Sequence, residues 1–226
     1  MRGIAFVLVW ANLCGLAFGA DYFLSAKGDD ASPGAKQRPW KTLERVNRKD
    51  FRPGDRLLLE GPSGGGKSTL AAVLASLRVA DHGLLLLEGF DRQAWGDRHW
   101  RQHVALAPQF HENHIFGGTF AFNVLMGKRW PPSAEDLSDA DAICRELGLG
   151  DLIGRMPDGM NQLVGEGGWR LSHGERSRVY IARALLQRAD LVILDESFGA
   201  VDPENLSRAM RCALARATTL MVIAHP

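Results

Sequence analysis

A chain of 226 residues accommodates one domain of ordinary size, with or without a short appendage, and has no room for a polytopic membrane domain as well. Its 46% hydrophobic and 23% charged residues exclude wholesale disorder and fibrous repeats. Lys plus Arg number 27 against 26 Asp plus Glu, a formal charge of +1, so bulk charge gives no support to a nucleic-acid partner and any polyanion must be gripped locally. Cys14, Cys144 and Cys212 are far apart and form no C-x-x-C pair. They argue against a disulfide framework and a zinc site, and fit a reducing compartment.

Residues 1–20 disagree with that compartment. Arg2, an apolar run from Ile4, and the small residues Ala17, Gly19 and Ala20 have the layout of a secretory signal peptide. Asn12 and Gly15 interrupt the run, which falls short of the roughly 18 apolar residues of a spanning helix. From Asp21 to about Gly54 the chain is rich in Gly, Asp, Pro and Ser and predicts a strand, a polar loop, a short helix and a turn. Tyr22, Ser25, Gly28, Asp30 and Pro33-Gly34, then Pro39-Trp40 with Thr42-Leu43, and Pro53-Gly54-Asp55, resemble the mature amino terminus of secreted right-handed parallel β-helix proteins of the polysaccharide-lyase-like group. The stacked coils of about 20 or more residues that such a fold needs do not follow. Residues 1–20 therefore read as a signal-like segment and 21–53 as a β-helix cap.

The text changes at Gly61. Leu57, Leu58 and Leu59 make a short strand, and Gly61-Pro62-Ser63-Gly64-Gly65-Gly66-Lys67-Ser68 satisfies the phosphate-loop pattern G-x-x-x-x-G-K-[ST]. Glycines let consecutive backbone N–H groups turn inward around a phosphate, and the following helix adds its own N–H groups and dipole. Gly61, Ser63, Gly64, Gly65, Gly66, Lys67, Ser68 and Thr69 are thus the candidate nucleotide-binding residues. Lys67 would reach the β and γ phosphates, and the Ser68 hydroxyl would bind Mg²⁺. Leu70, Val73, Leu74 and Leu77 recur at helical spacing, predicting a helix that stops by Gly83.

Downstream, Leu191-Val192-Ile193-Leu194 ends in Asp195-Glu196. An apolar strand delivering acids at its carboxyl end suits a Mg²⁺ site facing the phosphate loop. Asp195 would hold the Mg²⁺ shell through water, and Glu196 would act as general base toward the attacking water.

Four further elements decide among phosphate-loop families. Leu171-Ser172-His173-Gly174-Glu175, followed by Ala182-Arg183-Ala184-Leu185, resembles the signature motif and helix of ATP-binding cassette (ABC) ATPases. Gln109 resembles the Q-loop of that family, Asp202 in Ala200-Val201-Asp202-Pro203 its D-loop, and His225 its switch histidine. The resemblance covers about 54–226 and implies an α/β fold: a P-loop NTPase core of the ABC type, with a helical subdomain at about 115–175, truncated at the C-terminus. It implies ATP and Mg²⁺ as ligands, with Gln109 also touching Mg²⁺ and Gln109 and His225 joining Glu196 in hydrolysis. Ser172, Gly174 and Glu175 would bind in trans the nucleotide held by a second ATP-binding domain, in a homo- or heterodimer.

His173 and Glu175 stand where the family has glycine and glutamine. A carboxylate near phosphate needs a partner, and Arg176 and Arg178 are the nearest cations in sequence. Trp40 is the nearest candidate for the aromatic residue that stacks on the nucleotide base. The 61 residues between Gln109 and Leu171 are too few for the long coiled coils of genome-maintenance members. His114 to Val124 and Val164 to Gly168 resemble exporter-type regions, although Ile115, Phe116 and Phe120 are equally compatible with ordinary core. The expectation is an ATPase domain powering export, peripheral on the cytoplasmic face of the inner or plasma membrane, touching it through ABC transmembrane domains and binding no nucleic acid. The signal-like segment conflicts with that location. The alternative is a fragment of a secreted carbohydrate-active protein fused to an inactive ATPase piece, the join lying in the Pro53–Gly61 stretch that suits both families.

Overall fold

The computed structural model describes residues 19–109, 111 and 114–224. Most of the signal-like segment, and His225, lie outside the described residues. In chain order the elements are β1 (Asp21–Ser25), α1 (Leu43–Asn47), β2 (Arg56–Glu60), α2 (Lys67–Leu74), α3 (Arg92–Trp95), α4 (Asp97–His103) and β3 (Val104–Ala107). Next come β4 (Gly118–Thr119), α5 (Phe120–Val124), α6 (Ala134–Glu146), α7 (Gly150–Arg155) and β5 (Leu163–Val164). The chain closes with α8 (His173–Leu186), β6 (Leu191–Asp195), α9 (Pro203–Arg216) and β7 (Thr219–Ala224). Two compact units share these elements: one takes the chain up to Leu106, Ala189–Asp195 and the stretch from Ala217, the other Ala107–Arg188 and Glu196–Arg216.

The first unit is organised by a sheet of order β1-β2-β7-β6-β3, in which β1–β2, β2–β7 and β6–β7 pair in parallel. Parallel strands covered on both faces are continuously apolar rather than alternating. Every residue of β6 is accordingly buried, Asp195 included. The helix after the phosphate loop is shorter than its periodicity predicts. It stops at Leu74, whose carbonyl accepts from Trp100 Nε1 at 2.8 Å. Ser76 then takes a left-handed φ of 59°, and Leu77 is exposed, so no burial draws the helix onward.

The reading of residues 21–53 as a foreign cap finds no support in the packing. β1 is a strand of the same sheet, in register with β2 from Asp21↔Arg56 to Ser25↔Glu60. Leu24, Trp40 and Val46 share one hydrophobic cluster with Leu59, Leu70, Leu74, Ile193 and Ile223. The Pro53–Gly61 stretch is itself tied in from both sides. Asp55, 4% exposed, accepts from the N–H of Ala20 at 2.8 Å and of Arg52 at 2.9 Å. Trp40 is 1% exposed, lies 5.0 Å from Tyr22 in a stacked pair, and donates through Nε1 to the Ser32 carbonyl. It is a core residue, which removes it as a platform for a nucleotide base.

The second unit is mostly helical, with a two-stranded antiparallel β4–β5 ribbon. Asn123 organises its amino-terminal part. Its Oδ1 accepts from the Phe116 N–H, and its Nδ2 donates to the carbonyls of Phe116 and Thr119. From α8, Arg183 donates through Nε to the Asn123 carbonyl at 2.5 Å and through Nη2 to Asn123 Oδ1 at 3.0 Å. Burial draws the Arg183 guanidinium down to about 10. The ambiguity over the apolar residues here resolves unequally: Phe120 is fully buried and Phe116 is half exposed. Cys144 and Cys212 are free, buried thiols, both pushed up by burial.

Candidate functional site

Parallel pairing brings the chemistry of the first unit to one end of its sheet. Because β2, β7 and β6 are adjacent and run the same way, the carboxyl ends of β2 and β6 deliver the phosphate loop and Asp195 to the same side. That is the crevice where open α/β sheets bind ligands. The loop itself is shaped by sign of φ: Gly64 and Gly66 have φ of 75° and 81°, values that L side chains rarely adopt. A Cβ built on either would meet nothing within 4 Å, so backbone conformation, not crowding, calls for glycine there. Gly66 is also the N-cap of α2, and no side chain caps it. The first N–H groups of a helix have no intrahelical acceptor, and an N-cap without a side-chain oxygen suits them to an anion.

Lys67 opens α2, is 8% exposed, and donates from Nζ to the carbonyls of Gly61 at 2.8 Å and Pro62 at 3.0 Å. The ammonium thus closes the loop on itself and stands at its mouth. Gly61, Ser63, Gly64, Gly65 and Gly66 make up the loop, while Ser68 and Thr69 lie in the first turn of α2. These residues fit a nucleotide triphosphate: open glycine positions, an uncapped helix terminus and one lysine. They also suit its divalent ion, to which the Ser68 hydroxyl and buried Asp195 would offer oxygen donors. Mg²⁺ bound there would neutralise phosphate charge and orient the leaving group.

In the second unit the chain leaves β6 through Glu196, whose φ of 49° places a non-glycine residue in the left-handed region, a strain of about 1–2 kcal/mol. The turn is fastened by Gly199 N–H donating to the Glu196 carbonyl at 3.1 Å. Ser197 Oγ donates to the Ala107 carbonyl at 3.3 Å, which ties the Glu196 turn to the segment that carries Gln109 two residues later.

The signature segment begins α8 as the sequence predicts, and its glutamate has a structural explanation. Ser172 is the N-cap, its Oγ accepting from the Glu175 N–H at 3.2 Å while Glu175 Oε2 accepts from the Ser172 N–H at 2.7 Å. This reciprocal capping box satisfies two orphan donors. The cation beside Glu175 is Arg155, at 3.0 Å, and not Arg176 or Arg178. Those two turn to backbone carbonyls, Arg176 to Leu171 and Arg178 to Gly174, Leu147 and Gly148. Arg155 lies 20 residues upstream, on α7, where no local pattern could find it. We expect Ser172→Ala to cost about 1 kcal/mol through the lost cap, read as a lower urea midpoint with an unchanged m-value.

Gly174 sits against the segment of Asp202. A Cβ on Gly174 would lie 3.0 Å from the Ala200 carbonyl oxygen, so a side chain would push on that backbone. Asp202 caps α9, accepting from the Asn205 N–H at 3.0 Å and its Nδ2 at 2.9 Å. The Asn205 side chain, ahead of its backbone, holds the Asp202 carboxyl below the usual carboxylate range.

Comparison with known proteins agrees with this geometry. A family model described as ABC transporter matches residues 45–199, starting inside the stretch read as a cap. The ABC multidrug transporter MDR2 of Trichophyton tonsurans is 37% identical over 175 residues, covering 76% of this chain and 13% of that protein. The ATP-dependent lipid A-core flippase of Thiobacillus denitrificans is 38% identical over 193 residues, covering 84% of this chain and 32% of that protein. A solved bacterial Atm1-family ABC exporter with ATP bound aligns with a TM-score of 0.65 and 31% identity, over 76% of this chain and 30% of its own. The chain therefore spans less than a third of the length of these relatives. The region matched holds the phosphate loop, the capped signature helix and the Asp195 strand, and through it the chain belongs to the ABC transporter family, as an ATP-binding domain of exporter type.

Proposed function

We propose that this domain binds ATP with Mg²⁺ and hydrolyses it to power exporter-type transport, paired with a second ATP-binding domain and docked on ABC transmembrane domains. The observation that carries the reading is the delivery of the uncapped glycine cradle and buried Asp195 to one end of three adjacent parallel strands. Gly61 to Thr69 hold the phosphates, with Ser68, Gln109 and Asp195 as the Mg²⁺ donors. Glu196 takes the proton of the attacking water, and His225 and Gln109 assist. Ser172, Gly174 and Glu175, with Asp202 behind them, face the nucleotide of the second domain. The motifs of the domain occupy 54–226, with its helical subdomain at about 115–175, on the cytoplasmic face of the membrane. No described helix is long and apolar enough to cross one, and the exposed Phe116 beside the Asn123 network supplies apolar surface for a membrane partner.

Titration of the chain with a fluorescent ATP analogue and Mg²⁺ tests the first step. Binding that weakens at least tenfold in Lys67→Ala supports the reading, because the substitution removes the loop cation together with its hydrogen bonds to the Gly61 and Pro62 carbonyls. A parent chain that folds but fails to bind the analogue would overturn it.

A further inference from the structure

The opposite end of the same sheet carries a second arrangement of ligating groups. On α4, His99 and His103 stand one helical turn apart, the spacing that places two side chains on one face. Their Nε2 atoms are 3.1 Å from each other. His103 Nδ1 meets Asp190 Oδ2 at 2.5 Å, while Trp95 stacks on His99 with ring centroids 4.1 Å apart and planes 3° apart. Trp95 is itself held by Nε1 donating to the Leu87 carbonyl at 2.7 Å.

We propose that His99 and His103 form a bidentate site for a borderline divalent cation of the Zn²⁺ or Cu²⁺ class, with Asp190 as the group that orients His103. Geometry comes first: two nitrogens 3.1 Å apart subtend an angle of about 100° at an ion lying roughly 2.0–2.1 Å from each. That angle suits both tetrahedral and square-planar coordination. Imidazole nitrogen selects Zn²⁺, Cu²⁺ and Ni²⁺ over Mg²⁺ and Ca²⁺, so the site is chemically distinct from the oxygen donors at the nucleotide end. A carboxylate on the far nitrogen of a metal-binding histidine fixes its tautomer and ring orientation, and Asp190 occupies that position on His103.

Proton bookkeeping is simple. With His103 protonated on Nδ1 toward Asp190, its Nε2 lone pair accepts the Nε2–H of His99. Metal entry requires His99 to move that proton to Nδ1, after which both Nε2 lone pairs go to the ion; an imidazolium in the pair would release one proton to solvent. Among the described residues no group of three or more His, Cys, Asp or Glu side chains is placed to hold an ion, so water completes the shell. Both ligands are partly exposed, the His103 side chain at 25%. His103 immediately precedes β3 and Asp190 immediately precedes β6. An ion there would bridge two turns of α4 beside the starts of β3 and β6, roughly 16 Å from the acid end of β6.

The test uses the full chain labelled with ¹⁵N-histidine, free of nucleotide, titrated with ZnCl₂ in a weakly coordinating buffer. The Nε2 resonances of His99 and His103 are expected to move together and saturate at one Zn²⁺ per chain, with the other histidines as internal controls. His99→Phe, which keeps a ring stacked on Trp95, should abolish this event, and Asp190→Asn should weaken it about 10–100-fold. Unmoved His99 and His103 resonances at excess Zn²⁺ overturn the proposal without recourse to any variant. So does a folded His99→Phe chain that binds Zn²⁺ with the parent's affinity.

Discussion

Replacing Glu196 by glutamine is expected to cut ATP turnover by about 10²–10⁴ while leaving nucleotide binding intact. The two side chains have nearly the same shape, so the left-handed turn at φ 49° and the Ser197–Ala107 hydrogen bond that secures it are retained. What is lost is the ability to accept a proton from the attacking water. Lys67→Ala separates cleanly from this, because it removes charge from the phosphate loop and therefore acts on binding. The measurement is a pair of assays on a dimer competent for turnover: phosphate release, and retention of ATP by sedimentation. A Glu196→Gln domain should hold ATP and persist as the ATP-bound dimer. Hydrolysis at the parent's rate would falsify the base assignment, and loss of ATP binding would show that the turn had collapsed.

Asn123→Ala is expected to be strongly destabilising, lowering unfolding free energy by about 2–3 kcal/mol. Asn123 is fully buried and makes hydrogen bonds to Phe116, Thr119 and the Arg183 guanidinium. Truncation removes the acceptor facing a cation that is 8% exposed, and a buried charge that loses a partner is penalised more than a neutral group. Arg183→Met should cost less, about 1–2 kcal/mol, because it takes the charge away together with its desolvation penalty and fills the space. Urea unfolding distinguishes them: both midpoints fall with unchanged m-values, Asn123→Ala further. The reverse order would mean that Arg183 contributes chiefly through attraction rather than through the need to be satisfied.

The nucleotide end was legible because its chemistry is written in contiguous residues. A glycine cradle, an acid ending an apolar strand and a serine opening a helix each need only local spacing, and the structure places all three as expected. What could not be read depends on partners far apart in the chain. Asp55 reaches Ala20, 35 residues away; Arg183 reaches Asn123 across 60; His103 reaches Asp190 across 87. Residues 21–53 misled because turn-rich composition and a few fixed positions describe local conformation equally well in two folds. Only the pairing of β1 with β2 and the burial of Trp40 tell which sheet they join. The left-handed φ of Glu196 has no sequence signal at all, since it is imposed by the turn that follows β6.

That pairing has a practical corollary. β1 is the outermost strand on its side and satisfies one whole row of β2's backbone donors and acceptors along five residue pairs. A shortened chain beginning near Arg52 would keep every motif of the nucleotide site yet bare that row, together with the Asp55 carboxylate that Ala20 now caps. An unprotected edge of this kind recruits strands from other molecules. Trimming to the motif boundaries would therefore make the domain more prone to self-association, and the cure would be to restore residues 19–25 rather than to alter the catalytic half.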